Sequence, residues 1–373
     1  GFATRIGNMA GYRHYPTVTA KIGQMLEARR IACIGKAYTT EFGVGTRAYC
    51  VNPRFPDFSP SGSSTGSAVS VAAGFCDFSI GTDTCGSVRW PSANCGVIGL
   101  KMSYYPALLT GIFPVCETLE CVGFVTRTVA DLAYIWKRED LFSVFDVDRS
   151  PCTSHSDDFR FGIIENCRSV QCDPEIWQAW EHFLSVLDRS GVYTIECTIQ
   201  WWYARENAWT LISREAYEIH KKLQKTVRVE YEAGTEASLL LGRTIDDQRY
   251  EDLKNDQRQV EIMARDDFVN HQLHFMILPL DTELPRHLST PPYNVSLYTA
   301  DEASGETGFP PDPGFTGLAS YAHVPALCLP IACSKSGAPI AIQVLAPGGR
   351  EVDLIQAGLF LEQLIGDWRS IQQ

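Results

Sequence analysis

Two glycine-rich stretches carry the strongest signal in the sequence. Residues 62–67 read GSSTGS, and residues 81–89 read GTDTCGSVR. Glycines at this density let backbone N–H groups face outward toward a ligand. A serine at the end of such a loop can attack a carbonyl while the same N–H groups hold the oxyanion that forms. The pattern therefore predicts a serine nucleophile, although no histidine lies near either stretch to act as its base.

A lysine upstream is the candidate base. Residues 31–36 read IACIGK, a short apolar run that ends in Lys36. Such a run predicts a buried strand with the ammonium group of Lys36 at its end. Lys36 considered alone would more often be a surface lysine at a strand end, so its role depends on the two serine stretches.

Other interpretations of the glycine-rich stretches have specific requirements. Residues 62–66 also match G-x-S-x-G, with Ser64 as the nucleophile of an α/β-hydrolase, but that motif needs a buried strand before it and here a proline-rich loop precedes it. A phosphate-binding loop would need Gly-Lys-Ser/Thr, which does not follow. A purely structural glycine turn remains open for either stretch taken alone.

Several ordered motifs together resemble the amidase signature family of Ser–cis-Ser–Lys amidohydrolases. The family pattern GGSSGGSA…GTDTGGSIRxP…GxxGLKPT is written here as SGSSTGSA, GTDTCGSVRWP and GVIGLKMS, starting at positions 61, 81 and 96. Residues 35–42 (GKAYTTEF) are similar to the lysine segment GKTNxxEF, and residues 119–133 to SLDTVGPMARTVxDLA. A closing pattern from Phe315 to Gln343 also agrees, so the resemblance covers most of the chain except about residues 150–275.

The resemblance implies a role for individual residues. The catalytic residues would be the base Lys36, the bridging Ser63 and the nucleophile Ser87, with a cis peptide bond between Gly62 and Ser63. The oxyanion loop would consist of Thr84, Cys85, Gly86 and Ser87. The supporting residues would be Ser64, Asp83 and Arg89, of which the last two form a charged pair that braces the loop.

The implied reaction follows from proton affinities. A solvated lysine, with a pKa near ~10.4, is protonated at neutral pH and must lose its charge through burial before it can accept a proton. Neutral Lys36 would then take a proton from Ser63, which takes one from Ser87 as Ser87 attacks an amide carbonyl. Two alternatives stay open: an acyltransferase that uses the same acyl-enzyme, and a catalytically silent binding module on the same fold.

The sequence departs from the family pattern at positions next to this chemistry. Cys85 replaces a glycine, and its side chain is expected to narrow or reshape the pocket. It could also be a second reactive group, but a small buried filler is the commoner role for such a cysteine. Residues 102–105 (MSYY) replace the usual proline-threonine stretch. We interpret these changes as signs of an atypical substrate.

Composition agrees with a soluble globular enzyme, and we expect no cofactor. The chain has 373 residues, is 45% hydrophobic and carries a net charge of −12, which argues against nucleic acid or an anionic membrane as partner. The 13 cysteines include no C-x₂-C pair, which favours reduced thiols in a cytoplasmic protein. The pair His271 and His274 is not accompanied by a metal-binding motif. We expect a small-molecule amide substrate, and the sequence is compatible with a homodimer.

Strands alternate with helical stretches, which predicts an α/β fold. The resemblance implies one domain over residues 1–373, with a large mixed central β-sheet flanked by helices on both faces. It also implies that an N-terminal part of the family fold precedes Gly1, so a targeting segment there stays open. Residues 140–275 would form a divergent helical cap over the substrate pocket. Trp201, Trp202 and Tyr203 are candidates to line that pocket, although adjacent aromatic residues more often pack in a core.

Overall fold

A central β-sheet of eight strands organises the computed structural model, which describes residues 3–45, 47–137, 152–153, 158–289 and 314–371. The order of the strands across the sheet is β1-β3-β2-β7-β8-β6-β4-β5. In chain order the strands are β1 Phe78–Asp83, β2 Ile98–Lys101, β3 Cys121–Thr126, β4 Arg160–Ile164, β5 Tyr193–Cys197, β6 Phe275–Pro279, β7 Ala326–Cys333 and β8 Pro339–Leu345.

Ten α-helices accompany the sheet in the described ranges. They are α1 Lys21–Ala28, α2 Thr65–Ala72, α3 Arg89–Asn94, α4 Val129–Lys137, α5 Pro174–Arg189, α6 Ala204–Leu223, α7 Ala233–Thr244, α8 Asp247–Asn270, α9 Gly317–Tyr321 and α10 Glu351–Ile365. In the sequence, apolar residues at helical spacing predict helices over residues 204–228 and 246–269, and these correspond to α6 and α8. The sequence of residues 17–30 is also amphipathic with helical spacing, and this segment contains α1. No helix in these ranges has the length and the apolar character that crossing a bilayer requires.

The sheet is mixed, as predicted. Strands β1, β3, β2, β7, β8 and β6 pair antiparallel in that order, whereas β6, β4 and β5 pair parallel. Alternate residues of β6 enter two different apolar clusters. Phe275 and Ile277 pack with side chains of α5 and α10, and Met276 and Leu278 pack with side chains of α6 and α8. Because successive side chains of a strand point to opposite faces, helices cover both faces of the sheet.

The prediction of a helical cap over residues 140–275 needs correction. Within this region β4, α5 and β5 form a parallel β-α-β unit, and β4 also pairs parallel with β6, so this part of the region belongs to the central sheet. The helical part runs from α6 to α8. Residues 140–151 and 154–157 of the predicted cap lie outside the described residues. The physical reason is that β4 buries apolar side chains along most of its length, which the sheet can accommodate and an isolated cap would expose. Strand β5 lies at the edge of the sheet and buries only Cys197.

Candidate active site

Ser87 lies in a short loop that joins β1 to α3. The strand ends at Asp83 and the helix begins at Arg89, so the loop turns sharply between two elements of the core. Thr84, Cys85 and Gly86 are buried, whereas Ser87 keeps part of its surface exposed. Gly86 adopts φ 116°, a backbone conformation that glycine reaches without strain. This loop therefore presents one serine at a surface that a small molecule can reach.

A buried ion pair holds this loop on the side that faces the core. The side chains of Asp83 and Arg89 are both 0% exposed, and Arg89 Nη2 lies 2.9 Å from Asp83 Oδ1. Asp83 also accepts hydrogen bonds from the backbone N–H groups of Gly86, Val88 and Arg89. Burial alone would raise the pKa of Asp83, but the charge and hydrogen bonds of Arg89 hold that pKa below its ordinary value. The carboxylate thus fixes the backbone on both sides of Ser87.

The guanidinium of Arg89 connects the loop to residues distant in sequence. Its Nη1 donates to Thr316 O at 3.0 Å and to Gln343 Oε1 at 2.8 Å. Thr316 in turn donates from Oγ1 to Cys85 O at 2.6 Å. Sequence reasoning placed Thr316 and Gln343 in the family's closing pattern but gave neither a role in the site. Their contacts show that both support the Ser87 loop.

Asp83→Asn should destabilise the protein strongly. The amide leaves Arg89 as a buried cation without its counter-ion, which costs about 3–5 kcal/mol. We expect the free energy of unfolding, measured by denaturant titration, to fall by about that amount. The control is Asp77→Asn, because Asp77 forms an ion pair with Arg127 while its side chain is 96% exposed. The control should change stability by less than about 1 kcal/mol, and equal losses in the two variants would contradict the role of the buried pair.

The predicted oxyanion loop is only partly available for an oxyanion. Gly86 donates its N–H to Asp83 Oδ1 at 2.7 Å, so this N–H points into the core rather than toward a substrate. That bond corrects the sequence-based assignment of Gly86 as a donor. Within the described residues, the N–H groups of Thr84, Cys85 and Ser87 have no acceptor. These three groups remain as candidate donors to an oxyanion.

The Ser63 loop lies directly against the Ser87 loop. Ser64 N–H donates to Ser87 O at 3.0 Å, and Ser64 Oγ donates to Thr82 O at 3.1 Å. The peptide bond between Gly62 and Ser63 is cis, as the resemblance implied. Ser63 and Ser64 are buried, and α2 begins at the next residue. Two loops that are separated by 24 residues in the sequence are therefore joined by direct hydrogen bonds.

Lys36 does not occupy the position that the sequence predicted. Residues 31–37 form no strand, Ile34 is 74% exposed, and Lys36 is exposed as well. The prediction of a buried strand here is therefore wrong, because this segment pairs with none of the eight strands. Lys36 Nζ donates to Thr4 Oγ1. The structure thus brings Ser63 and Ser87 together but shows Lys36 in another environment.

The segment that follows Lys36 is nevertheless anchored at the site. Tyr38 O accepts the N–H of Gly66 at 2.8 Å. Thr39 Oγ1 and Thr40 N–H both donate to Ser63 O, at 2.9 and 3.0 Å. Lys36 is therefore two residues away from a backbone that is hydrogen-bonded to the Ser63 loop.

Cys85 is buried beside Ser87. It is 3% exposed and belongs to an apolar cluster that includes Val115 and Phe315. Burial raises the pKa of its thiol to about 12, which disfavours the thiolate that a reactive cysteine needs. These observations favour the role of a small core residue over that of a second nucleophile. All 13 cysteines are free thiols.

The three aromatic candidates for the pocket have different environments. Trp201 is fully buried and donates from Nε1 to Asp267 at 2.7 Å, so it packs in the core. Trp202 is half-buried against Phe315, with ring centroids 5.7 Å apart. Tyr203 is 40% exposed and donates to Asp256. Only Trp202 and Tyr203 have surface that a ligand could contact.

Glu120 is a buried carboxyl that sequence reasoning did not single out. It directly precedes β3, whose first residue Cys121 pairs with Asp83 at the end of β1. Its Oε2 accepts the N–H of Val115 at 3.0 Å. Burial raises the pKa of Glu120 to about 7, an effect that hydrogen bonds from the protein only partly offset. The family pattern has an aspartate at the position of Glu120. This match between two carboxyl residues was the feature of the sequence that could have identified Glu120.

Glu120→Gln should change how stability depends on pH. The folded-state pKa is raised from about 4.5 to about 7, so the stability that protonated Glu120 contributes is present below pH 4.5 and is lost as the pH rises through 7. Glutamine carries no charge at any of these values. We therefore expect the variant to gain about 3 kcal/mol relative to the parent between pH 4.5 and 8 in chemical denaturation. Glu117→Gln, at an exposed neighbouring carboxyl, is the control, and a pH-independent difference for Glu120→Gln would refute the prediction.

Comparison with known proteins identifies the family of the chain. The family model described as amidase matches residues 1–355. A glutamyl-tRNA(Gln) amidotransferase subunit from Lachnospira eligens is 27% identical over 390 residues, covering 94% of this chain and 79% of that protein. The mitochondrial counterpart from Yarrowia lipolytica is 31% identical over 199 residues, covering 48% of this chain. That match spans only 43% of the Yarrowia lipolytica protein's own length.

Solved structures show the same fold. A crystal structure of an amidase superposes with a TM-score of 0.83 at 24% identity and covers 98% of this chain and 82% of that chain. A peptide amidase from Stenotrophomonas maltophilia gives a TM-score of 0.70 at 22% identity, covering 97% and 79%. These likenesses agree with the mixed sheet and its helices, and the family match extends over nearly the whole sequence. The chain belongs to the amidase family.

Proposed function

We propose that the protein hydrolyses carboxylic amides through an acyl-enzyme on Ser87. The observation that carries the proposal is the Ser87 loop itself. Ser87 is partly exposed on a loop with three candidate oxyanion donors, the N–H groups of Thr84, Cys85 and Ser87 itself. The buried carboxylate of Asp83 fixes the backbone of this loop. Preorganised N–H donors of this kind stabilise the charge that develops when a nucleophile attacks a carbonyl.

Acylation needs four proton transfers, two as the tetrahedral intermediate forms and two as it collapses. Ser87 Oγ attacks the amide carbon and passes its proton to Ser63, while Ser63 passes its own proton to Lys36. The carbonyl oxygen becomes the oxyanion and is held by the candidate donor N–H groups of the loop. Collapse of the tetrahedral intermediate breaks the C–N bond, and Ser63 protonates the leaving nitrogen while Lys36 returns a proton to Ser63. Water then attacks the ester of Ser87 through the reverse relay and releases the carboxylic acid.

The relay includes a movement of Lys36. Its Nζ is bonded to Thr4 and exposed, whereas the relay needs Nζ at Ser63 and shielded from water. The anchored backbone at Tyr38 and Thr39 keeps Lys36 within two residues of the Ser63 loop. We propose that Lys36 exchanges Thr4 for Ser63 in the active state, where loss of water favours its neutral form.

The substrate we propose is a small-molecule amide. The related proteins include amidotransferase components and a peptide amidase, and their names share the cleavage or transfer of an amide group. The test is a panel of primary amides with ammonia release as the readout, run on the parent and on Ser87→Ala. Ammonia from the parent alone supports hydrolysis at Ser87. Equal ammonia from both proteins, or none from the parent across the panel, would overturn the proposal.

A further inference from the structure

Two tryptophans form a stacked pair next to the Ser87 loop. Trp90 belongs to α3 and Trp209 to α6, and their ring centroids lie 5.8 Å apart with an interplanar angle of 20°. Both side chains are half-buried, in contrast to Trp180 and Trp201, which are at most 1% exposed. We call Trp90 and Trp209 the tryptophan pair. The rings of the tryptophan pair thus keep accessible surface, whereas Trp180 and Trp201 are enclosed in the core.

The tryptophan pair is in contact with the predicted oxyanion loop. A Cβ atom placed on Gly86 would lie 2.9 Å from Cδ2 of Trp90, so the indole ring packs directly on the loop backbone. Trp90 N–H donates to Gly86 O at 2.7 Å, which forms a helical turn that includes Ser87. The ring of Trp90 therefore packs against the residue that directly precedes Ser87 in the chain.

We propose that the tryptophan pair binds a flat aromatic acyl group of the substrate. This inference rests on the proposed function, because it assigns the acyl side of the amide that Ser87 attacks. Aromatic rings prefer offset-stacked or edge-to-face contacts with other rings, and such contacts add to the effect of apolar burial. A non-aromatic ring of similar size buries a similar apolar area but cannot make these ring–ring contacts. The pair therefore selects aromatic over alicyclic acyl groups.

The test measures binding without turnover. Benzamide and cyclohexanecarboxamide are titrated calorimetrically into the Ser87→Ala protein and into the same protein carrying Trp209→Leu. We expect Trp209→Leu to weaken benzamide binding about 3- to 10-fold, the size of an aromatic stacking contribution, and to weaken the alicyclic amide less. Trp209→Phe retains a ring and should keep most of the preference for benzamide over cyclohexanecarboxamide. This second variant keeps the test valid if Trp209→Leu does not fold.

The matched control is Trp368→Leu. Trp368 is also half-buried and paired with another ring, Phe55 at 6.2 Å, but it packs against Gly96 beyond the far end of α3. This variant should leave both titrations unchanged. Equal losses for the two amides in Trp209→Leu, no loss for either, or no benzamide binding to Ser87→Ala would overturn the inference. If the binding difference holds while the parent releases no ammonia from any amide, the proposed function fails and the aromatic site stands.

Discussion

Ser87→Ala should remove amide hydrolysis while leaving the fold intact. Alanine cannot form the acyl-enzyme, so we expect kcat to fall by at least about 10⁴-fold. The Ser87 side chain is partly exposed, and the contacts that hold the loop come from its backbone and from Asp83. Truncation at such a position changes the free energy of unfolding by only about 0.5 kcal/mol. Steady-state ammonia release and denaturant titration measure the two quantities.

The control for this variant is Ser70→Ala. Ser70 lies on α2, where its hydroxyl donates to Ser67 O, and it takes no part in the proposed reaction. It should retain the activity of the parent. Ammonia release by Ser87→Ala at a rate near that of the parent would contradict the assignment of the nucleophile, and Ser63 would then be the next serine to test.

Lys36→Met should lower kcat by at least about 100-fold, the contribution of a general base. Methionine has a similar length and apolar stem but cannot accept a proton. Since Lys36 Nζ is bonded to Thr4, a loss of activity could in principle reflect the loss of that contact alone. Thr4→Val removes the same hydrogen bond and leaves the amine in place, so the two variants separate the contributions.

We expect Thr4→Val to keep activity near that of the parent, because the active state places the amine at Ser63. A rise in activity would agree with this account as well, since the competing partner is gone. Equal losses in Lys36→Met and Thr4→Val would show that Lys36 supports the structure of the N-terminal segment and would refute its role as a base. Measurement of kcat and KM for both variants on one amide decides this.

Features with local causes could be predicted from the sequence. The apolar spacing of α6 and α8 defines a buried stripe on each helix, and the short apolar segment over residues 75–80 overlaps β1. The two glycine-rich loops also lie together, with Asp83 and Arg89 paired beneath Ser87. The helices and β1 follow from the spacing of apolar residues, whereas the two loops and the pair of Asp83 and Arg89 were expected from the resemblance to the amidase signature family.

Features that depend on distant partners could not be predicted in this way. The run before Lys36 is apolar enough for a strand, but a strand also needs a neighbour to pair with, and no described strand pairs with it. Two strands within residues 140–275 join the sheet for the converse reason, because β6 and β4 offer them edges. The hydrogen bond from Gly86 to Asp83 depends on loop geometry that the motif does not specify.

The measurement that tests the central claim most directly is identification of the residue that a serine-directed fluorophosphonate modifies. The parent protein is labelled, digested and mapped by mass spectrometry. The account predicts a single adduct on Ser87, absent after substitution by alanine. An adduct on Ser63 or Ser64 instead, or an unmodified Ser87 in a protein that releases ammonia from amides, would contradict it.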